Sequence, residues 1–235
     1  MRKPTEIESA HIASVDEILA CDLMTVEDHE MEELGEQLEA APGVFLLLPE
    51  WKDVPLGSEL ARRTPRFNGL GCRWRTKEPL APFEGEFWIT DLFVALLQEP
   101  PDLAWEGTPA EESALYEQFR VVDSTPVAAT GQFTAVRVQP GVAPLELWYY
   151  DMDLNTVEGR DRQYVRLELT YPDYLDALLL TKGTFGWQYL FADVSLRSEG
   201  FERVLFSLRS MVEAFPRLFP DHDYSDLRAR LEARL

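Results

Sequence analysis

Few side chains in this sequence carry reactive chemistry in a usable pattern. Proton transfer near neutral pH favours histidine, and the chain has three: His11, His29 and His222. No G-x-S-x-G turn raises a serine above a strand end, so no nucleophile–base pair can be assigned. Asp221-His222-Asp223 has metal-ligand chemistry, but adjacent residues do not converge on one ion without further ligands, and the stretch reads as a loop before the last helix. Asp151-Met-Asp153-Leu-Asn155 begins like a calcium loop. Thr156 then stands where the sharp turn needs glycine, and Arg162 where a bidentate glutamate belongs, so a polar hairpin connection is expected instead. Asn68-Gly-Leu-Gly71 and Gly183-Thr-Phe-Gly186 lack the spacing of a phosphate cradle and are expected to form turns. Among 42 acidic residues no carboxylate pair can be singled out for acid–base work. No catalytic residue, metal ligand or cofactor is assigned. A hydrolase using carboxylates or a metal stays as an alternative.

Binding chemistry is better represented. Residues 1–42 hold twelve acidic and two basic side chains, a net of −10 against −20 for the whole chain. Two capping signatures, Ser14 with Glu17 and Thr25 with Asp28, predict helix starts. After the second, Met31, Leu34 and Leu38 recur at helical spacing, and Pro42-Gly43 predicts the stop. The remaining faces of that expected helix carry Glu27, Asp28, Glu32, Glu33 and Glu36. Two readings are open: a solvated helix face, or a recognition surface for a basic partner. The aromatics Trp74, Trp148 and Tyr150 fall in expected strands, where they fill the core or line a groove on an open sheet face. Together with Asp151 and Asp153, just past Tyr150, these are the candidate partner contacts.

The elements that must position them follow from periodicity. An apolar run at 44–48 suggests a buried strand, and strands are expected at 72–75, 86–89, 119–122, 133–138, 145–150 and 164–169. In the last, Val165, Leu167 and Leu169 alternate with Arg166 and Glu168, the half-buried antiparallel pattern. Short turns between strands favour a meander. Residues 91–98 form a short helix or a strand end, and 102–114 a flexible loop. Thr170 caps a helix with Pro172 in its first turn and Gly183 beyond its end. A longer helix spans 199–215, where Pro216 should end it, and a last helix starts near Ser225. The layout is α+β: a mainly antiparallel sheet flanked by N-terminal and C-terminal helices. One domain over 1–235 is expected, with an acidic helical segment at 1–42, a sheet-containing core at 43–195 and C-terminal helices at 196–235.

Composition removes several functions. A chain that is 46% hydrophobic and 11% aromatic can bury a sizeable core, which excludes global disorder. At −20 and a pI near 4.5 it opposes duplex nucleic acid and anionic membranes. The basic start at Arg2-Lys3 leads into acidic residues, unlike a signal peptide, and no apolar stretch is long enough to span a bilayer. Cys21 and Cys72 have no close-spaced partner and read as reduced thiols in a cytoplasmic protein.

Between Phe119 and Phe191 the text carries a further signal. Phe119-Arg-Val-Val-Asp123 is followed by Leu145-Glu-Leu-Trp-Tyr-Tyr-Asp151, Tyr171-Pro-Asp-Tyr-Leu-Asp-Ala-Leu and Gly183-Thr-Phe-Gly-Trp-Gln-Tyr-Leu-Phe191. Upstream stand Phe67-Asn-Gly-Leu70, Trp74 and Gly85-Glu-Phe-Trp-Ile-Thr-Asp-Leu92. Over about residues 45–195 this pattern resembles the SUKH superfamily, the group named for yeast cell-wall regulators and bacterial contact-toxin immunity proteins. The sequence departs from it at Leu48-Pro49-Glu-Trp51, where a Leu-Pro…Tyr helix is usual, and at Pro55 and Pro65. The resemblance implies a cytoplasmic, non-catalytic α+β module that binds another protein, such as a basic toxin or nuclease domain, and neutralises it. A regulatory interaction protein of the same fold, without a toxin partner, is the alternative. The family has no shared catalytic residues to transfer.

Overall fold

The structure is a computed structural model that describes residues 2–36, 43, 45, 47 and 51–235. Its first helix, α1 (Glu6–Ala20), starts earlier than expected. Thr5 and Glu8 form a reciprocal capping box, which leaves Ser14 and Glu17 inside the helix. Ser14 is buried there beside Lys182.

The acidic stretch after it is not a helix. Met24–Met31 is a strand, β1, antiparallel to β2 (Leu70–Thr76). A helix would stack like charges at i, i+3 (Glu27/Glu30, Glu30/Glu33) and at i, i+4 (Asp28/Glu32), each pair mildly destabilising. The strand spreads these carboxylates and lets Arg73 and Arg75 reach Glu27 at 2.8 and 3.1 Å. The segment 1–42 is therefore not purely helical; it supplies an edge of the sheet. Leu38 and Pro42 of the expected helix lie outside the described residues, as do Val44, Leu46 and Leu48 of the expected strand at 44–48. Within that run Phe45 is helical and buried.

The other strands follow the alternation of the sequence: β3 (Glu84–Ile89), β4 (Phe119–Ser124), β5 (Phe133–Arg137), β6 (Glu146–Tyr150) and β7 (Tyr164–Leu167). All seven pair in chain order, each antiparallel to the next, as a meander. The fold is α+β, with helices before and after the sheet. One pairing is nearly absent. β3 meets β4 only at Ile89 opposite Asp123, and the gap is filled by residues 183–185. Glu86 donates its N–H to Gly183 O at 2.9 Å, and Phe185 N donates to Glu84 O at 3.0 Å. Gly183, at φ +70°, has to be glycine, since a Cβ there would lie 2.7 Å from Glu86 O.

One sheet face carries the main core, packed against α1, α5 (Tyr171–Thr181) and α6 (Glu202–Leu218). Thr170 and Asp173 cap α5 reciprocally, with Pro172 in its first turn. Pro216 does not end α6, which runs on to Leu218. Proline cannot donate to the carbonyl four residues back, and Arg228, from the final helix α7 (Ser225–Ala233), donates to that Val212 carbonyl at 3.3 Å.

The opposite face is covered where a loop was expected. Besides a short α2 (Ser58–Arg63) and α3 (Leu92–Leu96, capped by Asp91), residues Ala110–Tyr116 form α4 after Pro109. Tyr116 packs there with Phe119, Ala135, Tyr150 and Tyr164 in a second, smaller core. Among the described residues no helix is long and apolar enough to cross a membrane.

Candidate partner-binding surface

β1 lies at one end of the sheet order, so one of its edges has no strand beside it among the described residues. Residues 27–33 are all exposed. The register pairs Asp28 with Arg73 and Glu30 with Gly71, and Glu32 N donates to Gly69 O at 2.8 Å. Asp28, Glu30 and Glu32 thus share one face, while His29 and Met31 share the other. A bulge at Glu27 resets this alternation. Glu27 is held by Arg73 and Arg75; Asp28, Glu30, Glu32 and Glu33 pair with no described cation. Their charge is free to act on solvent and on an incoming molecule.

Behind this edge Arg73 ties the outer strands together, reaching Glu86 at 2.8 Å and Glu84 at 3.4 Å besides Glu27. Trp88 covers Gly69 and Gly71, and a Cβ at Gly71 would meet its ring at 2.3 Å. The glycines of Asn68-Gly-Leu-Gly71 therefore make room for an indole. Glu86 is buried and accepts from Val127 N at 2.6 Å and Ala128 N at 2.8 Å as well as from Arg73.

The chain matches no family model, no curated protein and no solved structure.

The candidate contacts fall into two groups. Glu27, Asp28, Glu32, Glu33, Glu36 and Asp153 are exposed, the first four on β1 and the turn after it. The aromatics and Asp151 are not available in the same way. Trp74 is 0% exposed and donates its Nε1–H to Lys182 O at 2.7 Å. Tyr150 is buried, stacked on Phe133 at 4.9 Å. Trp148 is half-buried over the second core and donates to Glu146 at 3.2 Å. Asp151 is buried and accepts from Tyr189 OH at 2.7 Å and Gln132 Nε2 at 2.9 Å. An open aromatic groove on the sheet is thus ruled out for Trp74 and Tyr150, because Phe215 of α6 packs on Trp74 and Tyr150 lies in the second core with Tyr116 of α4. Glu30, His29 and Met31 complete the edge and were missed; strand alternation through Asp28, Glu30 and Glu32 was the signal that could have found them.

A buried carboxylate marks the split in the sheet. Asp123 Oδ1 accepts from Trp88 N at 2.8 Å, standing in for a ladder carbonyl, and Oδ2 accepts from Tyr174 OH at 2.6 Å. Burial pushes the Asp123 carboxyl up to about 6, against the pull of these donors. The crevice beside the split, lined by Glu86, Gln132, Tyr149, Thr184 and Gln188, leaves about 30 Å³, room for a water molecule. Each of these carboxylates is engaged in holding strands, loops and helices together. The Cys72 thiol, pushed by burial up to about 12, stays protonated at neutral pH. His222 turns to Glu17 at 3.0 Å, and Asp223 accepts from Ser225 N at 2.8 Å, so that segment serves the packing of α1 and α7.

A raised carboxyl pKa means that the folded state holds a proton which the unfolded state has released. Asp123 therefore favours folding at low pH, and its contribution falls as pH rises from about 4 to about 6, by on the order of 3 kcal/mol. Asp123→Asn can accept from Trp88 N through its Oδ1 and donate its Nδ2–H to the Tyr174 oxygen, a reversed bond without the charge. The difference in urea midpoint between variant and parent should move in favour of the variant over that range. A difference that stays flat with pH would show that Asp123 does not titrate there.

Proposed function

We propose that the chain is a non-catalytic protein-binding module of the cytoplasm that captures a basic partner along its β1 edge, acting as an immunity protein that neutralises a toxin domain. The observation that carries this reading is the row of exposed carboxylates at Asp28, Glu30, Glu32 and Glu33, which pair with no described cation and lie along a sheet edge with no strand beside it among the described residues. A surface shaped for phosphates, such as that of a nuclease, is basic and is drawn to such a row. The remaining negative charge of the chain adds long-range steering. The likeness to the SUKH superfamily supplies the toxin-binding role. Supporting a non-catalytic reading, the buried carboxylates Glu86, Asp123 and Asp151 each spend their lone pairs on internal donors.

The test is association kinetics with the partner recovered by pull-down from the native cell. Neutralising Glu32, Glu33 and Glu36 together as glutamines should slow association about tenfold at low ionic strength and flatten its salt dependence. These side chains lie outside the core, so thermal stability should stay unchanged. An on-rate that does not move would remove the edge from the proposed interface.

A further inference from the structure

The pairing of β1 fixes where its main-chain groups point. In an antiparallel ladder residues alternate between pairs that exchange both hydrogen bonds and pairs that exchange none. Glu32 donates to Gly69, so Glu30 opposite Gly71 and Asp28 opposite Arg73 are the bonded pairs. His29 and Met31 therefore turn their N–H and C=O groups away from β2. No described residue takes them up. An edge with such groups free is a template for another strand.

We infer that β1 binds an extended segment of its partner as an eighth, antiparallel strand, and that this segment alternates basic and apolar residues. The inference rests on the proposed capture of a basic partner and specifies its geometry. Residues opposite His29 and Met31 in the added strand exchange main-chain hydrogen bonds with them and share their face. Met31 is 56% exposed on that face, which suits an apolar neighbour. The intervening residues stand opposite Asp28 and Glu30, with Glu32 next along, in the non-bonded positions where side chains approach most closely. Lysine or arginine there meets three carboxylates, paired with no described cation, at two-residue intervals. The same charges exclude a second copy of this chain, since two β1 edges would set carboxylate against carboxylate. The edge thus rejects itself and admits a strand of opposite charge.

Three peptides of equal length and charge test this, each alternating lysine and valine: the parent, one N-methylated at the valines, and one N-methylated at the lysines. Valine amides face β1 in the proposed register and lysine amides face away. The expected result is that valine methylation weakens binding to the intact protein at least about tenfold while lysine methylation changes it little. Amide exchange at His29 and Met31 should slow on binding the parent peptide. His29→Pro removes one outward donor at an edge position that tolerates proline and should weaken the parent peptide with unchanged thermal stability. Equal binding of all three peptides would overturn strand addition and leave electrostatic capture standing. Failure of all three to bind at low ionic strength would overturn both.

Discussion

Trp74→Ala is expected to destabilise the fold by about 3–5 kcal/mol, the range for deleting a fully buried aromatic side chain. The indole is 0% exposed and meets Phe83, just before β3, at 5.6 Å and Phe215 of α6 at 5.9 Å between ring centroids. It also lies against Gly85, where a Cβ would come within 2.5 Å of the ring, so the site is shaped on every side. A second loss comes from its Nε1–H, the donor to Lys182 O. That carbonyl sits at the left-handed turn ending α5, at φ +49°. Trp74→Phe keeps most of the apolar surface and should cost about 1–3 kcal/mol, largely for the abandoned buried acceptor. Chemical denaturation of the two variants separates packing from hydrogen bonding. Trp148→Ala should cost less than Trp74→Ala, because its ring is only half-buried. Equal losses at Trp74 and Trp148 would contradict the placement of Trp74 at the centre of the core.

The second large effect is an asymmetry between two partners of one ion pair. Lys182 Nζ is buried, 2.6 Å from Glu17, 3.0 Å from Ser14 Oγ and 4.5 Å from the centroid of the Phe219 ring. Its side chain is 0% exposed, whereas that of Glu17 is 35% exposed. Burial pulls the Lys182 ammonium below its ordinary range despite the Glu17 carboxylate. Burial also works to raise Glu17, but hydrogen bonds from Lys182 and His222 hold it below the usual carboxylate range. Glu17→Gln leaves a cation buried with only neutral partners. It should cost about 3 kcal/mol, the lower end of the range for orphaning a buried charge because solvent already screens part of Glu17. Lys182→Met fills the same space with an apolar chain over Phe219 and leaves a carboxylate that still reaches water and His222. It should be neutral within about 1 kcal/mol. Thermal or urea unfolding of both variants at neutral pH decides the matter; a larger loss for Lys182→Met would reverse the assignment. Glu17 is stabilising above the ordinary carboxylate range, and its contribution fades as pH falls through its lowered folded value. The parent should therefore lose its advantage over Glu17→Gln in acid.

Much of this was legible in the chain. Strands β2 to β7 announce themselves by alternation, and α5 by Thr170, Pro172 and the turn at Gly183, because period and capping are local properties. Even the rule that failed at Pro216 was locally sound; Arg228, at the start of another helix, supplied the missing donor to Val212. The acidic stretch after Thr25 misled because both a helical stripe and a strand can be drawn through it. Strand β2, far along the sequence, takes up the main chain of this stretch, and Arg73 and Arg75 on it meet Glu27.

The candidate edge shows the same division. Charge and spacing in the sequence mark the neighbourhood of Glu27 to Glu36 as a surface and place Asp28, Glu30 and Glu32 on one side of any strand drawn there. That Trp74 is interior while Trp148 lies half-buried against Phe119 and Tyr164, that Lys182 is sealed against Glu17, and that Asp123 closes a gap between β3 and β4 depend on pairings between distant segments. Alternation tells which residues share a face; contacts formed across the whole chain choose what that face meets, because burial is a property of the assembled layers rather than of any one of them.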